Sequence, residues 1–156
     1  MATALHKKGE PFKINLYTGA STNEFVDGAL SNADAIGNRA PYQGNPTTRQ
    51  SVNKGLINFY DPHLSHMSQD IRYGFIGDID VAIVEVTEMS PSGEFVLGAG
   101  LGMAPTIVKL AKKVIIEYCS YYQTSFRGFH DIYMPADPPA RREIPIYKPT
   151  DRIGSQ

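Results

Sequence analysis

Apolar and polar residues alternate through F-K-I-N-L-Y-T (residues 12–18), with Phe12, Ile14 and Leu16 set against Lys13, Asn15 and Tyr17. A period of two predicts a strand. From Phe25 the period lengthens. Phe25, Ala29, Ala33 and Ile36, with Val26 and Leu30 beside them, recur at spacings of three and four, which predicts a helix stopped by Gly37. R-A-P-Y-Q-G-N-P reads as a loop. Asn45-Pro46 has the form of an N-cap followed by proline at the first helical position, with Gly55 just past the end of that helix. L-I-N-F-Y predicts a second strand. Asp61-Pro62 repeats the cap-plus-proline signal before a helix carrying Leu64, Met67 and Ile71, which stops at Gly74.

I-D-V-A-I-V-E-V (79–86) predicts a parallel strand buried on both faces at its centre. S-P-S-G (90–93) is a turn and E-F-V-L a short strand after it. Gly98, Gly100 and Gly102 follow, and Pro105 opens a helix reaching Lys113, with Ile107, Val108, Leu110 and Ala111 on its apolar side. V-I-I-E-Y-C predicts another buried strand. Alternating strands and helices imply an α/β class, an open, mainly parallel sheet with helices on both faces. Residues 1–11 read as an N-terminal tail and 12–156 as the domain. Within it, 120–156 lacks periodicity, and five of the 11 prolines lie between Pro135 and Pro149. Such a segment must pack against something, because its own pattern cannot build a core. That hints at an incomplete chain.

Ligands of open α/β sheets sit beyond the carboxyl ends of strands. Two stretches lie there: L-Y-T-G-A-S-T-N-E-F (16–25) and G-A-G-L-G-M-A-P (98–105). In the first, Ser21-Thr22-Asn23-Glu24 fits the S-x-x-E capping box, with Ser21 accepting the Glu24 amide and Glu24 reaching back. The same stretch suits a ligand. Free amides at a helix start favour anionic or carbonyl oxygens, and Gly19 and Ala20 permit close approach to the backbone. The two readings are compatible. The stretch is neither a Walker A motif nor a full G-x-G-x-x-G. In the second stretch, alternating glycines either line a pocket or make a tight strand-to-helix turn.

Charge and composition narrow the classes. Fifteen basic against 16 acidic residues leave a net charge of -1, so nothing draws the chain toward nucleic acid or an anionic membrane. No run approaches the roughly 20 apolar residues of a membrane span, and M-A-T-A-L-H-K-K-G-E-P lacks the apolar core of a signal peptide. The single cysteine, Cys119, excludes an intrachain disulfide. It is expected to be buried, and it fits a cytoplasmic compartment. His63, His66 and Asp70 share a helix face, but no third histidine or cysteine has metal-ligand spacing, so no metal is expected. Glu85 inside V-A-I-V-E-V needs a partner or a place near the strand end; a structural ion pair and a role in a pocket both fit. The G-x-S-x-G elbow is absent.

Four segments go further: L-Y-T-G-A-S-T (16–22), I-D-V-A-I-V-E-V (79–86), G-F-H-D-I-Y (128–133) and D-R-I-G (151–154), with A-P-Y-Q (40–43) and H-L-S-H (63–66) between. In this order they resemble the acetyl-CoA hydrolase/transferase family of class I CoA-transferases, from about Phe12 to Gly154. The resemblance implies an enzyme moving coenzyme A between acids such as acetate and succinate, or hydrolysing acetyl-CoA. In that family a glutamate attacks the acyl-CoA thioester, and mixed anhydride and glutamyl-CoA thioester intermediates follow. No metal or covalently bound cofactor is implied.

The resemblance covers the central part of an N-terminal domain. It implies a second α/β half carrying the nucleophile, and a homo-oligomer. Glu85, Glu88 and Glu117 match no nucleophile motif, so no catalytic residue is assigned here. The implied substrate-binding residues are Gly19, Ala20, Ser21, Thr22, Gly100 and Gly102. A family loop of the form V-G-N-S-P-T stands here as L-G-M-A-P-T (101–106), with Met103 and Ala104 replacing two polar side chains. An exposed apolar surface is expected where the second half docks, with association of the free chain. Two other readings compete: a non-enzymatic binding or assembly module that keeps the fold, and a sugar-phosphate isomerase relative, which the motif set disfavours.

Overall fold

The computed structural model describes residues 2–10, 12–122, 125–134 and 136–154. Two compact units divide the chain, Met1–Met67 and Ser68–Gln156. In the first, α1 (Ala2–Lys7) lies in the segment expected as a tail, and the His6 ring meets the Phe12 amide at 3.1 Å. The alternating residues form β1 (Ile14–Tyr17), which pairs in parallel with β2 (Ile36–Ala40); β2 pairs in parallel with β3 (Asn58–Phe59).

The stripe from Phe25 to Ile36 is not one helix. A π-helical turn (Glu24–Gly28) runs into α2 (Ala29–Asn32), and the chain leaves the helix at Asp34, in the left-handed region with φ 48. The Asp34 amide donates to Ser31 and the Ala35 amide to Leu30, the Schellman closure of a helix end. Ile36 then begins β2, and Gly37 is a strand residue rather than a stop. Ile36 and Ala40 are buried in the sheet, where β1 and β3 satisfy their strand's backbone. Ile36 satisfied a helical period, but pairing with Ile14 decided its state.

α3 (Pro46–Asn53) follows the cap-plus-proline signal. The Asn45 side chain accepts the Thr48 amide at 2.8 Å, and Gly55 sits past the end with φ 71. α4 (Leu64–Arg72) starts two residues after Pro62 and ends before Gly74, whose φ is 74.

In the second unit, β4 (Val81–Met89) lies between β5 (Phe95–Leu97), antiparallel, and β6 (Lys113–Tyr118), parallel. The turn after Met89 closes through the Ser90 amide and the Glu94 carbonyl, 2.8 Å apart. α5 (Ala104–Leu110) packs on β4, and Val84, Val86, Leu97 and Ala104 form the core with Ile107, Val108 and Ile132 around it. Among the described residues three of the four strand pairings are parallel, the open α/β arrangement that the alternation implied.

Burial on both faces does not hold for β4 and β6. The register sets Ile83 beside Ile115 on the face away from the core, where they are 64% and 52% exposed. Continuous apolar runs described two-sided burial, but only the Val84 and Val86 side carries α5. Cys119, expected buried, is half-buried beyond the end of β6. Past Tyr118 no described residue is in a helix or strand, yet the segment is tied down. The Phe126 amide donates to Thr87 Oγ1 at 3.2 Å, and Arg72 Nε donates to the Asp137 carboxylate at 3.1 Å.

Candidate functional site

Gly19, Ala20, Ser21 and Thr22 leave the carboxyl end of β1 as an arch clamped at both feet. At the first foot, Arg39 of β2 is fully buried. Its guanidinium donates to Asp27 Oδ2 from Nε at 3.1 Å and from Nη2 at 3.0 Å, to the Ala40 carbonyl at 2.6 Å and to Thr18 Oγ1 at 2.6 Å. Thr18 in turn donates to the Gly19 carbonyl at 2.7 Å. Asp27 is also fully buried, and its Oδ1 has no hydrogen-bond partner among the described residues. At the second foot, Ser21 forms a parallel bridge with Gln43, and its carbonyl accepts the Gly44 amide at 2.6 Å. Between the feet Gly19 and Ala20 are exposed, and a side chain at Gly19 would meet nothing within 4 Å.

The capping box is not made. Because Ser21 is held extended by its bridge to Gln43, the helical turn starts later. Asn23 caps it, accepting the Phe25 amide at 2.7 Å. Glu24 reaches Asn45 and Thr47 instead of Ser21. Hydrogen bonds from Thr47 and then Asn45 hold its carboxyl below the usual value. Sequence distance favoured the local partner, but the fold supplies two side-chain donors in place of one amide.

Gly100 and Gly102 belong to the second unit, between β5 and α5. Gly102 has φ 43, a conformation that favours glycine, whereas a side chain at Gly100 would meet open space. The crowded glycine is Gly98, where a Cβ would land on the Glu85 carboxylate. Its amide donates to the Glu85 carbonyl at 2.9 Å, and His130 Nε2 sits 2.8 Å from its own carbonyl. Met103 and Ala104 are both buried, so their side chains contribute to packing.

A cleft of about 370 Å³ opens beside this loop, walled by Phe95, Leu97, Pro105, Val108, Phe126 and Ile132, with Arg127 and His130 as its polar members. Arg127 is engaged by Glu88 at 2.6 Å, and that hydrogen bond is the main reason the Glu88 carboxyl sits below its usual value.

G-F-H-D-I-Y and D-R-I-G close on each other here. Asp131 accepts from Arg152 Nε at 2.6 Å and from the Gly154 amide at 2.9 Å, while Arg152 also donates to the Gly128 carbonyl at 2.9 Å. Partial burial pushes the Asp131 carboxyl up, but Arg152 and the Gly154 amide outweigh it and leave it below the usual value. Residue reasoning missed His130, Asp131 and Arg152; their only signal was membership of those two motifs. It also missed Arg39, whose signal was a charged residue inside the otherwise uncharged strand I-G-N-R-A, and its partner Asp27 in the π-helical turn. Among the described residues no three or more His, Cys, Asp or Glu converge as a metal would require. No helix there is long and apolar enough to cross a membrane.

Comparison with known proteins bears on this geometry. The family described as Acetyl-CoA hydrolase/transferase N-terminal domain matches residues 1–154. A propanoyl-CoA:succinate CoA transferase of Escherichia coli strain K12 is 42% identical over 99% of this chain and 32% of its own length. The corresponding figures are 40%, 94% and 27% for a succinyl-CoA:acetate CoA-transferase of Clostridium kluyveri. An acetyl-CoA hydrolase of Yarrowia lipolytica gives 34%, 94% and 29%. The chain thus spans about a third or less of the curated relatives it matches.

Proposed function

The chain belongs to the acetyl-CoA hydrolase/transferase family, and from that premise we propose that it supplies the N-terminal part of the substrate site of an enzyme that moves coenzyme A between small carboxylic acids or hydrolyses acetyl-CoA. The family match over residues 1–154 carries this reading. The exposed arch at 19–22, clamped beyond the carboxyl end of β1, supports it as a place where backbone meets an acyl oxygen.

The chemistry follows from carboxylate nucleophilicity. A glutamate carboxylate, none of those in this chain being assigned, attacks the thioester carbonyl and expels CoA thiolate, leaving an acyl-glutamyl anhydride. The thiolate attacks the glutamyl carbonyl, releases the acid and leaves a glutamyl-CoA thioester. An incoming carboxylate reverses the two steps with a new acyl group; water in its place gives hydrolysis. Donors set against the developing oxyanions lower each barrier. Acyl-CoA and small carboxylates are the substrates, no further cofactor takes part, and a cytoplasmic homo-oligomer joins this part to a second α/β half.

The test is an exchange assay on the natural polypeptide that carries this chain. Succinyl-CoA with labelled acetate gives labelled acetyl-CoA under this reading, and borohydride traps a glutamyl-CoA thioester. A folded polypeptide that neither exchanges nor hydrolyses any short acyl-CoA is the non-enzymatic module instead.

A further inference from the structure

The contacts at the first foot of the arch have a direction. A guanidinium only donates hydrogen bonds, so Thr18 Oγ1 must accept from Arg39. The one hydroxyl proton is thereby aimed elsewhere, and it meets the Gly19 carbonyl at 2.7 Å. Arg39 cannot drift, because it is fully buried and bound to Asp27 and to the Ala40 carbonyl. The Gly19 carbonyl is therefore held toward the Thr18 side chain. In a planar trans peptide the next N–H points the opposite way. That N–H belongs to Ala20, which is exposed and has no hydrogen-bond partner among the described residues.

Resting on the function proposed above, we infer that the Arg39–Thr18 relay locks the Gly19–Ala20 peptide with the Ala20 N–H outward, as a preset donor to the carboxylate or thioester carbonyl oxygen of the substrate. Arg39 and Thr18 are positioning residues; the Ala20 amide makes the contact. A donor held in place before the substrate arrives needs no reorganisation as negative charge develops, which is when it counts most. Glycine at 19 leaves the approach open on that side.

The Arg39 variants disturb a buried ion pair and its fold, so the informative changes are at Thr18, which touches the relay at its last link. Thr18→Val keeps the shape and removes the hydroxyl; Thr18→Ser keeps the hydroxyl. In the natural polypeptide carrying this chain, Thr18→Val lowers kcat for CoA exchange about tenfold or more. KM for acyl-CoA changes little, kcat being read well below a thermal midpoint that falls because buried Arg39 loses an acceptor. A crystal structure of the variant shows the Gly19–Ala20 peptide turned from its wild-type orientation. Thr18→Ser restores most of kcat and the wild-type peptide orientation. Wild-type kcat in Thr18→Val overturns the relay, and so does an equal loss in Thr18→Ser. A fall in activity with the Gly19–Ala20 peptide still in its wild-type orientation also overturns it, as a merely structural hydroxyl. If the wild type transfers and hydrolyses no acyl-CoA, the proposed function fails and the relay is judged on the crystal structures of the variants. A Gly19–Ala20 peptide turned in Thr18→Val and restored in Thr18→Ser then sustains it, and an unchanged peptide in Thr18→Val overturns it.

Discussion

The arch at 19–22 and the loop at 98–102 both follow strands of the same α/β pattern, yet opposite physics holds them. The first hangs on a desolvated charge pair. Arg39 and Asp27 are both fully buried, and the guanidinium alone spans β2, the end of β1 and the π-helical turn. The second rests on apolar packing, with Ala104 and Leu97 in the core below it, and on a returning segment fastened by ion pairs at the surface. A buried ion pair fixes geometry at the cost of desolvation, and its two halves cannot be separated cheaply. Surface pairs tolerate loss and are screened by salt. The expectation is a rigid arch in one unit and a more adjustable loop in the other.

The largest effect comes from splitting the buried pair. Arg39→Met leaves Asp27 charged, buried and without compensation, and costs about 3–5 kcal/mol in chemical denaturation. Replacing both, as Asp27→Leu with Arg39→Met, recovers most of that loss. If the single and double variants are equally destabilised, the pair is not what holds the arch. Next is Val86→Ala, which empties a fully buried position beside α5 and costs about 2 kcal/mol by the same measurement. A cost near zero would show that the second unit does not depend on this core.

Gly98→Ala probes the crowded glycine and costs about 1–2 kcal/mol, because the new methyl displaces the Glu85 carboxylate. Glu85→Ala in the same chain relieves it, so the double-mutant cycle shows coupling. Additive effects would place the two residues out of contact.

The smallest effect is acidification. Asp131 and Asp137 both lie below their usual values. For Asp131 burial is the largest influence, and it opposes the Arg152 and amide bonds that win; for Asp137 the Arg72 hydrogen bond leads. A carboxyl lowered on folding stabilises the fold fully above its unfolded value, and that contribution is lost as pH falls through the folded value. The window therefore lies below about pH 4. Residues 125–154 lose hydrogen-exchange protection there before β4 does. Equal loss in both would deny that these carboxylates fasten the segment.

Strand and helix periodicity made most elements legible, together with the cap-plus-proline signal at Asn45 and the glycine stops at 55 and 74. The failures share a cause. Ile36 fits a helical stripe and a strand equally well, and only pairing with Ile14 decides. Ser21 and Glu24 have capping-box spacing, but Gln43 and Thr47, some 20 residues away, claim them. The runs in β4 and β6 describe hydrophobicity, which says what prefers burial and not whether a partner covers it. The arch was legible as a candidate from its small residues. Its clamp was not, since no local pattern links Thr18 to Arg39. Conversely, motif resemblance marked 128–133 and 151–154 before any reason for them was visible; the contacts of Asp131 with Arg152 and Gly154 supply that reason.

The most direct measurement is CoA exchange by the natural polypeptide carrying this chain, followed as transfer of label from acetate into acetyl-CoA with succinyl-CoA as donor. Exchange through a borohydride-trappable glutamyl-CoA thioester, weakened in Thr18→Val and restored in Thr18→Ser, is the result predicted. A folded, monodisperse polypeptide with neither exchange nor thioester hydrolysis would contradict the account.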